Sequence, residues 1–261
     1  MKALQIAATG MLAQQTRVSV ISNNIANADT TAYSARRAEF ADLIYQQERR
    51  AGAVSSDAGT VLPTGVQVGL GVRTAAISMD TSPGSLRQTD GDLDLAIDGR
   101  GYFEIEMPDG SAAYTRDGAL KRSPDGVVVT ADGYPVQPEL VIPEDAVQVT
   151  VNGDGEVYAH FEGEAQAQLV GRLTLALFVN DKGLQARGGN LFVATDASGE
   201  ALTGDAGIEG RGLLRQGYLE DSSVNVVAQI TDLIEAQRSY EMNSKVIAAV
   251  DQMMDTTNRI R

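Results

Sequence analysis

The 261-residue chain has no cysteine, no tryptophan and a single histidine, His160. Without cysteine it can form no disulfide, thiolate metal site or cysteine nucleophile. One histidine cannot build a two-histidine metal site. A Ser-His-Asp triad would also need an activated serine, and no G-x-S-x-G or S-x-x-K segment supplies one. Aromatic residues are only 5%, which leaves little to build a sugar-stacking cleft. The 35 acidic residues allow many carboxylate pairs, Glu104 with Glu106 on one strand face for example, but there are few aromatics to hold a sugar beside them. Positive charge is short as well, with 21 Lys and Arg and a net charge of −14. Such a chain repels phosphate backbones, and no basic cluster is longer than a doublet such as Arg36-Arg37 or Arg49-Arg50. Nucleic-acid binding is not expected. The longest apolar run, LTLALFV at 173–179, is far short of the roughly 20 residues of a spanning helix, so neither is membrane insertion. The opening MKALQIAATGMLAQQ is weakly apolar, but Gln5 and Thr9 interrupt it and its helical pattern continues past any cleavage point. It reads as mature structure and not as a signal peptide.

Glycine and proline are missing from the two ends. From Met1 to Ile44 there is no Pro and one Gly, Gly10, and from Ser222 to Arg261 there is neither. All seven Pro fall in between. Two helical ends flanking a turn-rich middle is the simplest reading. Leu4, Ala7, Met11, Val18, Ile21 and Ile25 follow a three-four spacing, with Gln14 as its polar interruption. Val226, Ile230, Leu233, Tyr240, Ile247 and Met254 do the same near the other end, and Val246, Val250, Met253 and Ile260 form a stripe beside it. Ser222, Ser223 and Asn225 are candidate N-caps. On pattern alone the stripes fit two arrangements, an antiparallel pair within one chain or packing on other copies. Stripes wider than one partner would cover favour assembly.

The middle predicts strands. Asp-Gly pairs at 90–91, 98–99, 109–110, 117–118, 125–126 and 132–133 recur at seven- to eleven-residue spacing, and such pairs tolerate the positive φ of tight turns. Between and after them lie YFEIEM, VVVT, VQVTVNGDGEVYAHF and GRLTLALFV. The acidic stretch DGDLDLAIDGRG at 90–101 fails as a calcium loop, because Leu95 falls where glycine is needed and Gly101 where the bidentate glutamate belongs. VGLGVRT and GRGYFE complete no phosphate-loop pattern. No cofactor, metal site or enzymatic activity is expected. The fold class is α+β: long N- and C-terminal helices with a mainly antiparallel β-rich central body. Residues 1–45 and 222–261 form the helical domain, 46–65 a connector, and 66–221 the body, in one lobe or two.

Three segments carry a family resemblance. SNNIANADTTAYSARRAEFADLIYQ, from Ser22, resembles the N-terminal signature of the flagellar basal-body rod proteins of the axial family. LRQTDGDLDLAIDGRGYFEIEMPDGSAAYTRDGAL resembles their central block, and LLRQGYLEDSSVNVVAQITDLIEAQRSYEMNSKVI their C-terminal signature. The similarity runs almost end to end and departs at Tyr33-Ser34, where relatives more often have Gly, an aromatic residue and Lys. The segment at 46–65 resembles an extra stretch of the distal-rod members that hook proteins lack. It is implied to brace neighbouring subunits.

The resemblance implies a self-assembling structural subunit of the distal rod, the stiff shaft that transmits torque across the cell envelope. The two terminal helices would pair as a coiled-coil-like inner domain and stack with those of neighbouring copies into an inner tube, with the β body facing outward. Free monomers would have frayed ends that order on polymerisation. The implied location is the periplasmic rod of the basal body, reached through the flagellar type III apparatus without a cleaved signal. Implied partners are further copies in a helical polymer, proximal rod proteins, hook or hook-junction proteins, surrounding ring proteins and a rod cap. Asn23, Asn24, Asn27, Asp29 and Thr30 would end the first helix and turn the chain toward the body. The alternatives are another axial protein, of proximal rod or hook, or from a different class a secreted β-rich hydrolase or binding module.

Overall fold

The computed structural model describes residues 2–50, 64–163 and 166–259, without the side chains of 257 and 258. Much of the 46–65 connector, together with Ile260, lies outside the described residues. Chain contacts divide the protein into two units.

The first unit contains two helices, α1 (Lys2–Ala26) and α2 (Val226–Arg259), and the strands between Arg36 and Met79. Uninterrupted runs without proline let both helices persist, at lengths of 25 and 34 residues. Asn225 caps α2, its Oδ1 accepting the Ala228 amide at 3.1 Å. The helices pack antiparallel: Gly10 meets Asn243, Arg17 bonds Asp232 at 2.8 Å, and Asn24 bonds Gln229 at 3.0 Å. Strand Arg36–Asp42 pairs with Val72–Met79, and Tyr45–Arg49 runs antiparallel to Val66–Gly69.

The second unit, Asn27–Ala35 with Met79–Val224, is the β body. Its largest sheet has five strands in the order Val136–Gln137, Phe103–Glu106, Ala112–Thr115, Leu191–Val193 and Gln185–Gly188. A three-stranded antiparallel sheet, Ala146–Val151, Glu156–Phe161 and Gln168–Arg172, and several two-stranded ladders complete it. Leu95, Ile97, Phe103, Ile105, Val136, Ile142, Leu173 and Leu175 form a fully buried core. Burying each such side chain stabilises the body by about 1.5–3 kcal/mol. Beside it Tyr102, Tyr114, Phe178 and Phe192 make a smaller aromatic cluster, with edge-to-face ring pairs at 4.8–6.0 Å.

The expected α+β class and the two terminal helices are present. The Asp-Gly expectation holds in four of six places, where Gly99, Gly110, Gly126 and Gly133 have φ between +76° and +131°. Gly118 answers a different need, since a Cβ there would collide with the Leu95 carbonyl. GRLTLALFV does not form one strand. It breaks at Leu173 into Gln168–Arg172 and Thr174–Leu177, which join different sheets. The break lets Leu173 bury its side chain while its amide donates to the Gly155 carbonyl at 2.8 Å.

Candidate assembly surface

The seam between α1 and α2 is made mostly of small and polar residues, with Ile21 among them. Ala7, Ala13 and Ile21 are buried on α1, and Ala236 is fully buried on α2. A Cβ on Gly10 would lie 2.9 Å from Asn243 Nδ2, so the helices approach closely there. Gln229, Ala236, Asn243 and Val250, seven residues apart, are each buried or half-buried along α2. Arg17 adds charged contacts to Asp232 at 2.8 Å and Glu235 at 3.2 Å. Gln14 Oε1 is buried there without a hydrogen-bond partner.

Large apolar residues are divided between the seam and the solvent. Of the expected stripe residues, Ile21 is buried, and Leu4, Met11, Val18, Ile25, Leu233 and Ile247 are half-buried. Val226, Ile230, Tyr240 and Met254 are exposed, Ile230 at 47%. Leu12, Val227, Ile234, Met242, Val246 and Met253 are exposed too, up to 76% at Val227. Counting large apolar residues alone missed Gly10, Ala236 and Asn243. The seven-residue spacing 229, 236, 243, 250 was the signal that could have found the seam.

The polar stretch after α1 divides between the units. Asn24 is almost fully buried within the helix, and its Oδ1 accepts the Arg36 amide at 2.9 Å. Its Nδ2 donates to the Arg36 carbonyl at 2.7 Å and to Gln229 Oε1 at 3.0 Å. It therefore joins α1, the first strand and α2. Asn27 and Thr30 make the turn after the helix: Thr30 donates its amide to the Asn27 carbonyl and its hydroxyl to Asn27 Oδ1, both at 3.2 Å. Asn23 and Asp29 are exposed.

Charge is divided unequally. Residues 27–35 and 79–224 hold 26 acidic and 10 basic side chains, and the rest of the chain 9 and 11. Burial holds the Glu104 carboxyl above its ordinary value and pushes the Tyr102 hydroxyl up to about 12, with the nearby Asp181 charge adding to the effect on Tyr102. Among the described residues no group of three metal-ligating side chains could hold an ion. No helix of the structure is long and apolar enough to cross a membrane.

Three family descriptions match the chain: Flagella basal body rod protein over residues 4–33, Flagellar hook protein FlgE/F/G D1 domain over 96–159, and Flagellar basal body rod FlgEFG protein C-terminal over 215–260. The Flagellar basal-body rod protein FlgG of Caulobacter vibrioides is 49% identical over 261 residues, covering 100% of both chains. That of Agrobacterium fabrum is 47% identical, covering 99% of each, and that of Buchnera aphidicola from Schizaphis graminum is 43% identical, covering 98% of each. At this identity and coverage, the chain belongs to the FlgG family of flagellar basal-body rod proteins.

Proposed function

We propose that the chain polymerises through the outward faces of α1 and α2 into the torque-transmitting shaft of the distal rod. Family membership makes it a structural subunit of the flagellar rod, not an enzyme. The observation that carries the mechanism is the exposed apolar face of the helix pair: its seam is mostly small and polar, while Val227, Ile230, Ile234, Met242 and Met253 face solvent. Covering such residues would contribute about 1.5–3 kcal/mol each. A second copy is the natural cover, since repeated non-closing contacts between copies generate a helical polymer. In it the helix pairs form a coiled-coil-like inner tube in which Leu4, Met11, Val18, Ile21, Ile25, Val226, Ile230, Leu233, Tyr240, Ile247 and Met254 lie at or beside the contacts. The finer placement follows the same reading: a periplasmic rod, subunits delivered by the flagellar type III apparatus, and contacts with proximal rod, hook, ring and cap proteins.

Amide hydrogen exchange on the monomer and on the assembled protein tests this. The reading expects protection across α1 and α2 to rise on assembly. Equal protection of both helices in the two states would sink it, because the pair would then be complete within one chain.

A further inference from the structure

Glu220 stands where the routes into and out of the β body meet. Residues 27–35, 79–85 and 218–224 are the parts of this unit that continue directly into the other. All three are tied together. Ala32 donates its amide to the Glu220 carbonyl at 2.8 Å, and Gly84 donates its amide to Glu220 Oε1 at 2.9 Å. The Asp80 amide reaches the Ala35 carbonyl at 2.8 Å, and the Ala35 amide reaches Ser223 Oγ at 2.9 Å. A Cβ on Gly84 would collide with the Asp221 carbonyl, so the approach of these segments depends on glycine.

The Glu220 carboxylate is buried and paired with Arg116, whose Nε donates to Glu220 Oε2 at 2.9 Å. The same guanidinium donates to the Gly101 carbonyl at 3.0 Å and the Gly99 carbonyl at 3.1 Å, and it lies 5.8 Å from the centre of the Tyr102 ring. Arg116 thereby links the connecting segments to the turn between two core strands, Leu95–Asp98 and Phe103–Glu106. A buried ion pair is a poor source of stability, because desolvation offsets most of its attraction. Its distinctive property is directionality: a planar fork holds several acceptors in fixed positions, which a lysine cannot.

We propose that Arg116 and Glu220 are positioning residues, a buried ionic anchor that fixes the three connecting segments to the core of the β body. A twist arriving along those segments is then delivered to the sheets and not absorbed by loops. Its use in torque transmission rests on the rod reading; its existence in the monomer does not.

The test is residue-resolved amide exchange on the monomeric protein carrying Arg116→Lys, which keeps the charge and loses the fork. Exchange at Ala32, Ala35, Gly84 and Ser223 should quicken at least tenfold. The ladder amides of Ala146–Val151 with Glu156–Phe161 and of Thr174–Leu177 with Leu202–Asp205 should keep their rates. A uniform rise across all of these amides, or no change at the four, would overturn the proposal. If Arg116→Lys does not fold, Arg116→Met with Glu220→Leu removes both charges together and carries the same comparison at Ala32, Ala35 and Ser223, since Gly84 loses its own acceptor in that variant. Because the readout is monomeric, a negative result leaves polymerisation standing, and a failure to polymerise leaves the anchor standing.

Discussion

Asn24 and Gln229 bond side chain to side chain at 3.0 Å across the helix pair, while the Asn24 carboxamide also holds both backbone groups of Arg36. Asn24→Ala leaves these partners without it in a buried place and should destabilise the helical unit by about 2–4 kcal/mol. Asn24→Asp should do no better at neutral pH, since it keeps one acceptor and turns another toward the Arg36 carbonyl and Gln229 Oε1. Gln229→Ala should cost less than either. Urea unfolding of the three variants gives the order directly.

Ala32 sits at φ +54°, a left-handed conformation that favours glycine, and it is buried in the β body. Ala32→Gly should remove strain of about 1–2 kcal/mol and lose part of that gain to unfolded-state entropy. A net stabilisation of up to about 1 kcal/mol is expected from chemical denaturation. A loss of stability would show that the Ala32 methyl contributes more than the strain it carries.

Ile230 is exposed in the single chain, so Ile230→Asp should change monomer stability by no more than about 0.5 kcal/mol. The same substitution should abolish growth of polymers seen by electron microscopy, because a carboxylate would be buried at the contact. Polymers of normal length from a stable Ile230→Asp monomer would remove this face from the assembly surface.

Glu104 opposes Tyr114 across neighbouring strands, and burial holds its carboxyl above the ordinary value of 4.5. A raised carboxyl pKa means that the folded chain takes up the proton more readily than the unfolded one. The contribution is favourable below 4.5 and is lost as pH rises through the raised value. Glu104→Gln should therefore raise the urea midpoint at neutral pH and leave it unchanged below pH 4.5. An equal shift at both would assign the effect to packing.

The surplus of acidic side chains in one unit, 26 against 10 basic, would make neighbouring β bodies of a polymer repel. Raising ionic strength from about 0.01 to 0.15 M shortens the screening length from about 30 to 8 Å. The concentration needed for polymerisation should fall over that range, as sedimentation would show. A rise with salt would mean that attraction between charges, and not burial of apolar faces, drives growth.

Much of the architecture could be read from glycine, proline and hydrophobic spacing. The uninterrupted ends produced α1 and α2, and Asp109-Gly110, Asp125-Gly126 and Asp132-Gly133 make positive-φ turns. What the spacing of large apolar residues could not convey was which face of each helix turns inward. Counting large apolar side chains points to Ile230 and Tyr240, whereas close approach selects Gly10, Ala13 and Ala236, which score low on any hydrophobic count. Asn24 looked like a helix terminator because its usual role is local, and its actual partners are 12 and 205 positions away. Arg116 and Glu220, 104 positions apart, leave no local trace at all.

The antiparallel packing of α1 on α2 makes a helical hairpin whose connecting loop is about 200 residues long. A hairpin with a loop of a few residues can nucleate by itself, but this one must first meet the entropy of closing a very long loop. Ladders inside the β body, and the bonds of Ala32 and Ala35 to Glu220 and Ser223, close that loop in stages. The expected order of folding follows from this: the body forms first and the helices pair last. Under the rod reading, the surface that would recruit the next copy then becomes available only on a chain whose body is already complete.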